Sequence, residues 1–291
     1  MSFDKLQEKI RKLKNPTVVM FDGTPDQIPP HIVNEFKDEP TAYLHYCKQL
    51  LDVLKPIVPA VRFRMQGFWM LGAQGTDVLQ QLLHYADAQG YYVLLDIPEA
   101  MSLSEAERYA KTVFEGTAWP CDGVITSCYI GEDALSPFVR YLKKSDKTLF
   151  VILRTGNKTA AQLQDLLSGS RLVHMAAADM VARLGEPYVG QRKYSAVAAV
   201  GSAAAADSLR TMRTKYPAVF LLADGFDYSN ANAKNCSFAF DRLGHGSAVC
   251  AGESITAAWK RAQSDGLAYL DQAVEVAERM KKNLLRYISI L

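Results

Sequence analysis

The sequence predicts an α/β protein built as a single (β/α)8 TIM barrel, and three observations carry that expectation. Eight short apolar runs recur along the chain, with longer amphipathic segments between them. The runs are apolar on both faces rather than alternating, as parallel strands covered by helices are. A chain of 291 residues, 49% hydrophobic and 22% charged, suits one large domain spanning 1–291, since α/β barrels of this length stay undivided. The same alternation also permits a doubly wound open sheet, which is the structural alternative.

Taken in order, an N-terminal helix is expected over about 3–14, and the strands at "TVVMF" (17–21), "IVPAV" (57–61), "YYVLL" (91–95) and "GVIT" (123–126). They continue with "TLFVIL" (148–153), "SAVAAVG" (195–201), "AVFLLA" (218–223) and "GSAVCA" (246–251). Helical patterns fill 41–55, 76–90, 132–145 and 204–216. Another begins at 102, where Ser102 with Glu105 and Ser104 with Glu107 form two overlapping capping boxes. The chain closes on a helix over about 266–290, with apolar residues at Leu267, Leu270, Val274, Ala277, Met280 and Leu284. The least regular stretch, 223–242, lies between the seventh and eighth strands, where a barrel keeps its functional face.

Composition narrows the function classes. A net charge of +2 with interspersed signs argues against a nucleic-acid surface. Five cysteines at wide intervals show neither zinc spacing nor a disulfide framework and read as reduced thiols. The first residues carry charges throughout without an apolar leader, and no stretch approaches the ~20 apolar residues of a membrane span. A cytoplasmic protein without membrane attachment is therefore expected.

In a barrel the strand C-terminal ends carry the chemistry. Those ends present Asp22, Arg62 and Arg64, then Asp96 and Glu99, Ser127 and Cys128, Arg154 and Asn157, Asp224 and Asp227, and Cys250 and Glu253. Cys128 and Cys250 read as small apolar fillers, since no histidine is placed by motif to activate them. His31, His45, His84 and His174 have no partner pattern, and His245 precedes the eighth strand, at the opposite end of the barrel.

Several of these stretches, in this order, resemble the orotidine 5'-monophosphate decarboxylase family, in its longer bacterial subgroup. The resemblance is carried by "NPTVVMFDGTPDQIPPHI", "IVPAVRFRMQGFW", "DGVITSCYIGEDALSPF", "LFVILRTGNKTAAQLQDL", "AVAAVGSAAAADSLRTMRTKYPAVFLLADGF" and "FDRLGHGSAVCAGESITAAWK", and spans nearly the whole chain. It implies a barrel that decarboxylates a nucleotide at the end of pyrimidine synthesis, with no metal or cofactor, as a dimer whose sites lie at the subunit interface. It also implies a lysine ammonium that protonates the carbanion, set in an Asp-x-Lys-x-x-Asp segment after the third strand, and a second lysine closing the second strand.

The chain departs from that pattern where the chemistry is concentrated. Asp96 matches the first aspartate, but the lysine is Pro98, the second aspartate is Met101, and the second-strand lysine is Arg62. Proline has no ionisable group, and a guanidinium is a poor acid. No lysine occurs between Lys55 and Lys111, so the loss does not depend on alignment register. The glycine-rich phosphate loop is replaced by a segment holding Asp224 and Asp227, and the phosphate-clamping arginine becomes Glu253. Ser127 and Gly156 replace an asparagine and a serine on the pyrimidine side, while Asp22, Arg154, Thr155 and Asn157 match the family's ligand contacts.

These departures imply a family member that has lost the decarboxylase activity and serves a structural or regulatory role, as a homodimer or as a heterodimer with an active paralogue. The alternatives are a decarboxylase with an unusual proton donor such as Arg62, or a barrel enzyme repurposed for another ligand. The acidic residues at the mouth could take a cationic ligand or a metal, or pair internally with Arg62, Arg64 and Arg154; internal pairing is the expectation.

Overall fold

The computed structural model describes residues 2–142, 146–226 and 231–291. Eight parallel strands form a closed barrel: β1 (Thr17–Phe21), β2 (Ala60–Arg64), β3 (Tyr92–Asp96), β4 (Gly123–Ser127), β5 (Thr148–Ile152), β6 (Ser195–Ser202), β7 (Val219–Asp224) and β8 (Ser247–Ala251). Each strand pairs with its neighbour in sequence, and β1 closes the ring by pairing with both β2 and β8. That closure excludes the open sheet. Nearly every strand residue is buried, which is why these runs lack a polar face.

Helices α1 (Ser2–Leu13), α2 (Glu39–Leu54), α3 (Gly75–Ala88), α4 (Leu103–Glu115), α5 (Val173–Gly185), α6 (Ala206–Lys215) and α7 (Tyr269–Leu284) surround it. Helix α1 shuts the N-terminal end. Its Phe3 stacks on Phe220 with ring centroids 4.4 Å apart, and its Gln7 accepts a hydrogen bond from the Gly246 N–H just before β8. The open end is therefore the C-terminal one, where the strands deliver their last residues.

Helix α4 starts where the first capping box places it, with Ser102 as the N-cap and the Glu105 carboxylate reaching one residue past it. Ser102 Oγ accepts from the Glu105 N–H at 3.2 Å, while Glu105 Oε2 accepts from the Met101 N–H at 2.8 Å.

Three elements differ from the sequence expectation. Strand β2 runs three residues later than "IVPAV", because the Ile57 and Val58 N–H groups both turn back onto the Leu54 carbonyl to finish α2. The strand instead continues into Arg62-Phe63-Arg64, which an apolarity rule does not recognise as strand. The single helix expected over 132–145 is a 3₁₀ turn, Glu132–Ala134, followed by a short helix, Ser136–Val139, restarted with Pro137 in its first turn; positions 143–145 lie outside the described residues. The last helix covers Tyr269–Leu284 rather than 266–290. Gly266 holds φ at +80° ahead of it, and the tail beyond it buries Ile288 and Ile290, two residues apart, against the barrel.

The loops after β1 and β2 touch through glycines. Gly23 has φ +74°, and a Cβ on Gly67 would lie 1.7 Å from the Asp22 carbonyl oxygen. Only glycine permits this back-to-back approach, which draws the two loops together at the mouth.

Candidate functional site

The mouth of the barrel holds a cavity of about 430 Å³ lined by residues from the ends of six strands. Arg62, third in β2, points into the barrel rather than standing at the strand end, and is 3% exposed. Its Nε and Nη2 donate to the two carboxylate oxygens of Asp96 at 2.7 and 2.6 Å. Its Nη1 donates to Asp224 Oδ2 at 2.8 Å and lies 3.6 Å from the Cys250 thiol. One guanidinium thus ties β3 to β7 across the barrel interior. The planar fork can satisfy two carboxylates at once; an ammonium at the same place offers no such fixed geometry.

Charge regulation follows from this packing. Burial disfavours the Arg62 cation most strongly, but Asp224 and Asp96 together outweigh it and hold its pKa well above the ordinary arginine value. Asp96 moves upward, because burial and the neighbouring Asp224 exceed what Arg62 returns. Asp224 moves downward: burial opposes its charge, and Arg62 together with the Gly225 N–H prevails. The triad is a buried cation shared between an aspartate at the floor and one at the rim.

Arg154 is tied elsewhere. It forks onto Asp165 with two contacts of 2.8 Å and donates to the Thr155 carbonyl, and the buried His174 contacts Asp165 from the other side at 3.2 Å. The hydrogen bond from Arg154 lowers the Asp165 pKa against its burial. Thr155 N–H donates to Gln164 Oε1 at 2.8 Å, and Thr155 Oγ1 to Asn157 Oδ1 at 2.6 Å. The loop carrying Arg154, Thr155, Gly156 and Asn157 is thereby stitched to the segment leading into α5 while still facing the cavity.

The expected internal pairing is therefore partly corrected. Arg62 takes both Asp96 and Asp224, Arg154 takes Asp165 instead of a mouth acid, and Arg64 takes none of those among the described residues. Among the described residues the lining is balanced in sign: Arg62, Arg64 and Arg154 face Asp96, Asp224 and Glu253. Among the described residues no group of three or more His, Cys, Asp or Glu side chains is placed to hold a metal ion.

The other sequence candidates divide. Asp22 lies off the cavity lining, its Oδ1 accepting from Thr24 Oγ1 at 2.8 Å and Gln27 Nε2 at 3.2 Å. Ser127 is also off the lining and accepts from the Tyr129 N–H, which is shared with Glu99 Oε1 and bridges the loops after β3 and β4. Pro98 is half-buried and Met101 is 68% exposed. Glu253 is exposed on the lining, and Asp227 lies outside the described residues. Burial raises the Cys128 thiol to about 11 and the Cys250 thiol well above its ordinary value, so both are poor nucleophiles. Sequence reasoning overlooked Ser202, although it ends β6 and the strand-end rule reaches it. Asp165 and Gln164 gave no signal, being brought to Arg154 and Thr155 only by the fold of the following loop.

The barrel and the strand-end site can be set beside known proteins. The sequence model of the "Orotidine 5'-phosphate decarboxylase / HUMPS family" matches residues 94–263, more than half of the chain. The chain belongs to that family. Curated relatives named orotidine 5'-phosphate decarboxylase include one from Clostridium perfringens strain 13, 26% identical over 285 residues, and one from Petrotoga mobilis, 24% identical over 286 residues; 98% of each chain is covered in both comparisons. Among solved structures, the Leishmania donovani OMP decarboxylase superposes with a TM-score of 0.71 at 23% identity, covering 97% of this chain and 98% of that one. The Plasmodium berghei orotidine 5'-monophosphate decarboxylase gives 0.76 at 15% identity, with 96% and 99% covered. At those identities the likeness speaks for the fold alone. The family's barrel is kept, and no lysine among the described residues lines the cavity. No helix among the described residues is long and apolar enough to cross a membrane.

Proposed function

We propose that this chain is an orotidine 5'-phosphate decarboxylase relative that does not catalyse the decarboxylation, and that it acts as a binding or regulatory protein that self-associates through the rim of its cavity face. The observation that carries the reading is Arg62, buried and held by both Asp96 and Asp224 in a cavity lined by no lysine among the described residues. The family reaction, as the resemblance implies it, needs a mobile ammonium proton beside the departing carboxylate. A general acid works best with a pKa near the working pH, and Arg62 is held far above it. Pro98 supplies no proton, Met101 faces solvent, and Glu253 puts a carboxylate where the resemblance places the phosphate clamp.

Support for self-association comes from the loops after β2, β3 and β4, strands that are neighbours in the barrel. They expose Trp69 (64%), Met70 (56%), Met101 (68%) and Tyr129 (65%), with Leu103 and Ile130 beside them in the chain. Large apolar side chains gathered on one rim, next to a polar cavity, have the composition of an interface core, and a second copy of the chain would present the same apolar surface in return.

Two measurements test this. Absorbance of orotidine 5'-monophosphate incubated with the protein should stay at the uncatalysed rate; turnover abolished by Arg62→Ala would overturn the reading. Sedimentation velocity should give a dimer that dissociates on Trp69→Ser with Tyr129→Ser, whereas a monomeric parent protein would remove the self-association. The open volume above the triad favours a second reading, a barrel repurposed for a different ligand, over an inert remnant.

A further inference from the structure

Among the described residues six charged side chains line the cavity, and their contacts leave one cation and one anion unpaired. Arg62 is consumed by Asp96 and Asp224, and Arg154 by Asp165. Arg64, the last residue of β2, and Glu253, the first residue of the short helix after β8, are both exposed. Among the described residues neither makes an ion pair or a side-chain hydrogen bond, although Arg64 still favours the charged forms of Asp96 and Asp224 through space. Strand β1 stands between β2 and β8, so the strand that ends in Arg64 and the one that leads to Glu253 lie two strand spacings apart, about 9–10 Å.

We propose that this cavity binds a small zwitterion, its acid group on Arg64 and its ammonium on Glu253. A simple anion that reaches Arg64 meets Glu253 as well, and a simple cation meets Arg64, so each half of the site rejects what the other attracts. A ligand carrying both charges satisfies both, provided a spacer of several bonds holds them apart. Met20 on β1, between them, offers apolar surface for such a spacer, and Ile152 and Val200 add apolar surface on the facing wall of the cavity. The Arg62 triad beneath is closed by its own hydrogen bonds, one cation between two carboxylates, which leaves the two rim residues as the charged groups open to a ligand.

The inference rests on the proposed function, extended in one respect: with Glu253 where the phosphate clamp is placed, a nucleoside monophosphate is not held, and the test separates the two. Calorimetric titration of the full chain would use 6-aminohexanoate, hexanoate, hexylamine and uridine 5'-monophosphate. The expected result is binding of 6-aminohexanoate about fivefold to tenfold tighter than either singly charged probe, a modest ratio because both residues are exposed. Arg64→Gln should abolish the advantage over hexylamine, and Glu253→Gln the advantage over hexanoate; both positions are solvent-facing, and circular dichroism checks that the variants fold. Equal affinities, no binding of any of the three, or an advantage that survives both substitutions would overturn the proposal. If uridine 5'-monophosphate is also silent, the loss of nucleotide binding still stands; if it binds tightly and displaces the others, that reading falls too.

Discussion

Replacing Arg62 by methionine removes the charge while keeping much of the side-chain volume, and leaves Asp96 and Asp224 facing each other without their shared cation. Three charge-assisted hydrogen bonds of 2.6 to 2.8 Å disappear at once. Breaking a buried ion pair from one side costs about 3–5 kcal/mol, because the remaining charge is stranded. At roughly 2–4 °C per kcal/mol for a chain of this size, the melting temperature should fall by on the order of 10 °C. The pH dependence identifies the cause. Without Arg62 the folded-state pKa of Asp96, already raised by burial, rises further above its unfolded value of about 3.9. The folded variant then binds more protons than the unfolded chain, so its stability declines as pH rises. Urea unfolding should therefore show a larger deficit at pH 8 than at pH 5, and Asp96→Asn with Asp224→Asn in the same variant should recover most of it. A deficit under about 1 kcal/mol, or one equal at both pH values, would refute the stranded-carboxylate account.

Other expectations concern single residues. Ser102→Ala should lower stability by about 0.5–2 kcal/mol through loss of the α4 cap, while Ser104→Ala, outside the cap, should be close to neutral in the same denaturation experiment. Asp179, whose hydrogen bonds from Tyr216, Lys215 and Arg171 bring its carboxyl down to about 2, contributes stability that is present above its unfolded pKa and lost as pH falls through the folded one. The difference between the parent protein and Asp179→Asn should accordingly be full at pH 6 and shrink below about pH 4. Cys128, raised to about 11, should alkylate slowly with iodoacetamide at pH 7.5 and markedly faster above pH 10, as mass spectrometry of the modified peptide would record.

Much of the fold was written locally. Two-sided apolar runs between amphipathic helices specify parallel strands wrapped by helices, because each run must be covered on both faces. The α4 cap was equally legible, since Ser102 and Glu105 act within one helical turn. Where apolarity and strand parted company, as at Arg62 and Arg64, local reading placed β2 three residues early.

The absence of any lysine between Lys55 and Lys111 could be seen in sequence alone, because it is a matter of which residue types occur and where. The fate of the charges at the strand ends could not. Asp96 and Asp224 lie 128 residues apart and meet on Arg62 only because the barrel closes, while Arg154 is drawn off by Asp165 in a loop that no sequence pattern ties to it. Ion pairing depends on distances of a few ångströms between side chains that are remote in the chain, and closure of the barrel sets those distances. A list of acids and bases at strand ends thus became a hydrogen-bonded floor of one arginine and two aspartates, with Arg64 and Glu253 left at the rim.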